Sequence, residues 1–302
     1  MTQHGGLATF TTAAFRGEYF MTHSSLSRTP EDVDIVTRNR QFDIEEVLAT
    51  NWHSDDVFKT AFFNALSILF PLGEQFFIDS VKAYRSEIDD PVLQERVKGF
   101  MGQESVHRRE HQKYNEALCE AHGLDLEELE ALVAKRKAFA QKHLPALRQL
   151  AGTVALEHLT AIMADATFRN PATLEGAHPK MKELWHWHAL EETEHKAVAF
   201  DVFEAVGGGT GMRRSAMILT TIEFTHHVIR NMRLLLRDYK GSRIKLWFGG
   251  MKFLFGKNGA LRGLLRPYLD FYRKDFHPWD HDNRELVGSV MKEFGGGTVQ
   301  PI

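Results

Sequence analysis

The chain has 302 residues, 37 Lys plus Arg against 40 Asp plus Glu, and a formal net charge of −3 at pH 7. Hydrophobic residues make up 43% of it, which excludes global disorder and allows a sizeable core. The single cysteine, Cys119, excludes an internal disulfide and fits a reducing compartment.

Residues 1–55 read as an irregular N-terminal arm, without the basic start and apolar run of a signal peptide. A first long helix is expected from about Asp56 to Ser86, capped by Asp55 or Ser54. Pro71 and Gly73 inside it suggest a kink beside Glu74. Asp89-Asp90-Pro91 restarts a second helix, which runs to about Ala121. An acidic helix follows near Leu126 to Lys142, a third long helix over 145–169, and a fourth from Pro179 to the glycines at 207–209. Further helices are expected at 212–239 and in the basic region beyond. No strand-period segment of useful length occurs, so the class is all-α. No run of about 18 uncharged apolar residues suggests a membrane span.

The charge is unevenly spread. Between Arg230 and Lys274 there are 12 Lys or Arg and 2 Asp or Glu, leaving 25 and 38 elsewhere. Within this block, residues 245–257 mix aromatic and aliphatic groups with Lys. That suits an interfacial membrane segment or a helical cap on the bundle, and nucleic acid is disfavoured because only charge supports it.

Glu-x-x-His places two ligating side chains on one helical face, and the chain contains five copies. At about 100° per residue, Glu192 and His195 fall in an apolar stripe with Met181, Leu184, Trp185, His188, Ala199, Val202 and Phe203. Glu104 and His107 share a face with Leu93, Val97, Phe100, His111 and Leu118. Glu183/His186 fall on the opposite side, with Glu194, Asp201 and Glu204, and read as solvated surface. Glu175/His178 fall in a loop, and Glu223/His226 on a mixed face. Glu74 and Glu157 lie singly on apolar faces, where a carboxylate is costly unless paired. Thr153, Thr160, Ala161 and Ala164 leave little bulk around Glu157, which suits either a substrate space or close packing.

Glu74 and Glu104 are 30 residues apart, Glu104 and Glu157 53, and Glu157 and Glu192 35. The outer pairs suit antiparallel hairpins and the middle interval a crossover. Two helices giving one Glu each and two giving Glu-x-x-His is the donor pattern of four-helix di-metal proteins. The candidate ligands are therefore Glu74, Glu104, His107, Glu157, Glu192 and His195, with His111 and His188 as outer-shell groups, extra ligands or polar core residues.

This order resembles the ferritin-like di-iron carboxylate superfamily. More narrowly, the run Asn64 to Glu74 (NALSILFPLGE), Phe100 to His107 (FMGQESVH), Arg109 to Asn115 (REHQKYN) and His277 to Asp280 (HPWD) resemble a bacterial family called predicted metal-dependent hydrolases, over roughly 30–285. The resemblance implies the same six ligands. It also implies a ferritin-like bundle over 56–207, between the arm and a basic amphipathic helical extension over 208–302. The carboxylate-rich donor set favours a pair of iron ions, with Mn or Zn as alternatives. The favoured activity is oxygen-dependent oxidation of an apolar or lipid-like substrate. The alternatives are a hydrolase using metal-activated water and a non-enzymatic metal store or peroxide scavenger. The expected location is cytoplasmic, with peripheral membrane contact through 230–274 and a homodimer left as open alternatives.

Overall fold

A computed structural model describes residues 29–294, with side chains to 290; the first part of the N-terminal arm, 1–28, lies outside the described residues. Among these residues the chain is all-helical. The helices are α1 Glu45–Leu48, α2 Val57–Lys82, α3 Pro91–His122, α4 Leu126–His143, α5 Ala146–Arg169, α6 Pro179–His195, α7 Val198–Ala205, α8 Thr210–Leu235, α9 Arg243–Phe255, α10 Leu265–Asp270 and α11 Arg284–Phe294.

Local chemistry sets most of the boundaries. Asp56 caps α2, accepting from the amides of Phe58 and Lys59 at 2.9 and 3.0 Å. The expected caps, Ser54 and Asp55, instead take left-handed φ of 58° and 51° in the preceding turn. Asp90 caps α3 ahead of Pro91. Gly123 closes it at φ 61°, and Asp125 caps α4. The arm is not wholly irregular, because it contains α1.

α2 packs along α3, α5 along α6, and α8 lies against both α2 and α5. The segment from Val57 is long and apolar enough to cross a membrane, but most of its apolar surface is buried against these neighbours. Its apolarity is accounted for by the core.

Pro71 lies inside a continuous α2. It has no amide hydrogen to donate to the carbonyl of Ser67, one turn back. Asn115 of α3 replaces that donor, with Nδ2 3.0 Å from the Ser67 oxygen, and accepts from Ser67 Oγ at 2.7 Å. The proline is thus a register pin between the two helices, one turn from Glu74.

The expected fourth helix is broken. α6 ends at His195, and Lys196-Ala197 form a turn before α7. Lys196 is buried, and its Nζ donates to the His281 carbonyl at 2.8 Å and Asn283 Oδ1 at 2.9 Å while lying 3.8 Å from the Trp279 ring centre. This long-range anchoring to the His277–Asp280 turn coincides with the break. The same turn is tied to α7 by His277 Nε2 and Asp201 Oδ1, 2.8 Å apart.

Candidate metal centre

Four helices bring the six expected ligands together: α2 gives Glu74, α3 Glu104 and His107, α5 Glu157, and α6 Glu192 and His195. All six are at most 2% exposed. Glu192 Oε1 lies 3.3 to 3.6 Å from a ring nitrogen of each of His188, His107 and His195. His195 Nε2 lies 3.1 Å from Glu104 Oε1 and 3.4 Å from Glu157 Oε2.

These approaches do not satisfy the hydrogen-bonding capacity of the cluster. Both carboxylate oxygens of Glu74, Glu104 and Glu157, as well as His195 Nε2, have no hydrogen-bond partner. Buried polar atoms are ordinarily satisfied, so this many orphans at one point is a specific signal. The donor atoms form two compact triads, Glu74/His107/His188 and Glu104/Glu192/His195, each within 4.8 Å. Carboxylate oxygen and imidazole nitrogen are suitable metal donors, and the residues fit a metal centre.

The imidazoles are held from behind. His195 turns Nδ1 to Gln103 Oε1 at 2.8 Å, and His107 Nε2 lies 3.0 Å from Glu191 Oε2. His188 Nδ1 meets His111 Nε2 at 3.0 Å, and His111 Nδ1 meets Ser67 Oγ at 2.9 Å. For His195 and His188 one ring nitrogen is hydrogen-bonded to a partner and the other faces the carboxylates, the arrangement that orients a metal-bound histidine, whereas both nitrogens of His107 lack a hydrogen bond. His111 therefore stands behind the cluster, whereas His188 is inside it.

Sequence reasoning missed the support beneath these groups. Arg38 in the arm donates to Glu194 through Nη1 and Nη2 at 2.8 and 2.6 Å, and to Glu191 through Nη1 at 3.2 Å. Gln103 Nε2 donates to Glu194 at 2.8 Å. One guanidinium thus supports both Glu191, beside His107, and the Glu194–Gln103 pair behind His195. The arm reaches this place along α3, where Gly99 and Gly102 leave room for it. A Cβ on Gly99 would stand 2.6 Å from the Ile35 carbonyl oxygen, and one on Gly102 would collide with Thr37.

The face expected to be solvated is therefore largely covered. Glu194, Asp201 and His186 are buried, although Glu183 remains exposed and pairs with Arg40. The other rejected motifs lie as expected: Glu175 and His178 are exposed in a loop, and Glu223 pairs with Arg136 at 2.7 Å.

Burial pushes the carboxyls of Glu74, Glu104 and Glu157 upward; neighbouring carboxylates add to this for Glu74 and Glu157, while His195 partly offsets it for Glu104 and Glu157. Burial disfavours a charge on His107, but Glu191 and Glu192 outweigh it and hold the ring up at about 10. Burial likewise opposes charge on His195, and Glu157 and Glu192 overcome it. Glu192 is held low despite burial because His195 and His107 surround it. Both imidazoles are thus shifted toward their protonated form, and a cation must compete with those protons. Loading metal at pH 7 should release protons, and affinity should fall as pH falls. An indicator dye or pH-stat measures this, and metal uptake without proton release would refute the assignment.

No curated protein and no solved structure matches the chain. A family model described as "Predicted metal-dependent hydrolase" matches residues 36–282. That match overturns the expectation of an oxidoreductase and favours hydrolysis, and it gives no support to an assignment of the metals as iron. With most of its length covered, the chain belongs to the family of predicted metal-dependent hydrolases.

Proposed function

We propose that this protein is a hydrolase in which Glu74, Glu104, His107, Glu157, Glu192 and His195 hold two divalent cations between α2, α3, α5 and α6. His188 is a further donor, and the four helices form a ferritin-like bundle. The observation that carries this reading is the set of orphaned carboxylate oxygens beside inward-facing imidazoles. The α2/α3 and α5/α6 packing supports the bundle. The donors suit zinc, manganese or iron.

Bound cations supply Lewis acidity and acidify a water molecule. The protein's own part is to gather the donors, fix their direction and limit water. Gln103 fixes His195, His111 fixes His188, and Glu191 stands 3.0 Å from His107 on the side away from the other carboxylates. Two apolar cavities flank the centre and share Phe70 and Thr160. The larger, about 130 Å³, reaches Glu74 between Phe77, Gly152 and Leu156. The smaller, about 60 Å³, reaches His188 and Glu192 between Phe63, Met163 and Ala164. Of the small residues expected near Glu157, Thr160 and Ala164 line cavity space, whereas Thr153 packs with its hydroxyl 2.7 Å from that of Ser80.

The substrate is a small molecule with an apolar chain, taken into the larger cavity. A Cβ on Gly152 would fit without a clash, in ordinary contact with the Phe76 ring at 3.9 Å. Gly152→Leu should fill the cavity without touching a ligand. With p-nitrophenyl esters of increasing acyl length, the metal-loaded protein should hydrolyse the longer esters. The variant should lose about tenfold or more on those while retaining the shortest ester and its metal. No metal-dependent hydrolysis of any ester or amide probe would defeat the reaction assignment, and an unchanged chain-length profile would defeat the cavity assignment.

A further inference from the structure

α9 has two apolar faces, and only one of them meets the protein. On the inner face, Trp247 sets its ring edge-on to Phe58 with centroids 5.4 Å apart, and Phe253 packs on Phe62 and His53. Gly250 lets the helix approach this closely, since a Cβ there would collide with the Phe58 ring. Leu254 is buried on the same side.

On the outer face, Ile244, Phe248, Met251 and Phe255 are 85, 78, 46 and 54% exposed. At 100° per residue these four fall within an arc of about 60°. An uninterrupted stripe of large apolar groups facing water marks an interaction surface. Exposed Lys245 and Lys252 border the stripe on one side and exposed Arg243 on the other. Lys257, Arg262 and Arg266 follow, also exposed, and no Asp or Glu occurs between Asp238 and Asp270. Leu265 and Leu269, a turn apart on α10, are likewise exposed.

We propose that α9 is an interfacial helix that seats Ile244, Phe248, Met251 and Phe255 in the headgroup–acyl boundary of an anionic lipid surface. Lys245, Lys252 and Arg243 then stand at the level of the lipid phosphates. The charge pattern selects this occupant. Lysine is depleted in protein–protein contacts, whereas an apolar stripe rimmed by cations without acidic neighbours is the composition of membrane-surface helices. The surface is separate from the metal centre and does not depend on the reaction assigned to it.

The test is co-sedimentation of the full chain with phosphatidylcholine vesicles containing phosphatidylglycerol, beside pure phosphatidylcholine vesicles. The protein should partition onto the anionic vesicles, less onto the neutral ones, and less as salt is added. The double variant Ile244→Glu, Phe248→Glu should lower partitioning about tenfold or more, with helicity, melting temperature and metal content unchanged because both side chains face solvent. Wild-type protein that stays in the supernatant would overturn the proposal, as would a double variant that binds equally well. A dimer in sedimentation velocity that the double variant dissolves, with no vesicle binding, would assign the face to a second copy of the chain and overturn the lipid assignment.

Discussion

Glu104→Gln should uncouple the protein's stability from metal. Glu104 is fully buried, both its oxygens lack hydrogen bonds, and it belongs to the triad with Glu192 and His195. An amide of the same shape leaves packing almost unchanged but removes a charged donor. In the wild type, metal at a thousandfold above its dissociation constant should raise unfolding stability by about 4 kcal/mol per site. The variant should lose most of that response and retain about a hundredfold less metal after dialysis, while its far-ultraviolet circular dichroism stays helical. The metal-free variant should be no less stable than metal-free wild type, because the change removes a carboxyl that burial already disfavours. Thermal melts with and without added metal measure both effects. A variant that binds and responds to metal like the wild type would remove Glu104 from the ligand set.

Arg38→Ala should be the most damaging change outside the ligands. Arg38 is 12% exposed and faces two carboxylates that are 0 and 7% exposed. Removing it leaves Glu191 and Glu194 without their cation, a situation that costs about 3–5 kcal/mol when a buried pair is broken from one side. Burial opposes charge on the guanidinium, but the paired carboxylates prevail and keep it firmly protonated. The effect should extend to metal retention, because Glu191 and the Glu194–Gln103 pair lie directly behind His107 and His195. Arg38→Lys should recover part of the stability but little of the orientation, since an ammonium cannot reproduce the two-pronged contact with Glu194. A melting temperature and metal content unchanged in Arg38→Ala would show that the arm does not support the site.

The sequence reveals most of the centre and little of what holds it. Glu74, Glu104, Glu157 and Glu192 are recognisable because each interrupts an apolar helical face, and face position is a local property of a 3.6-residue period. The same reasoning separates Glu192/His195 from Glu183/His186. It fails at Glu194 and Asp201, which lie on the apparently polar side of the helix. Their burial depends on partners 156 residues away at Arg38 and 76 residues away at His277. No periodicity reports such contacts. The break after His195 escapes detection for the same reason, since Lys196 is anchored by His281 and Asn283. Pro71 is visible in the sequence, but the pairing of Asn115 with the carbonyl it frees is a tertiary fact. A partial signal did exist for the supporting groups: Gln103 directly precedes Glu104, and Glu191 directly precedes Glu192.

The most direct test of the metal centre is a crystal structure of metal-loaded protein with diffraction recorded at the absorption edge of the bound metal. Two anomalous peaks should lie among Glu74, Glu104, His107, Glu157, His188, Glu192 and His195, with donor distances of about 2.0–2.3 Å. Fully loaded protein with its anomalous peaks elsewhere, and these carboxylates still unligated, would contradict the account.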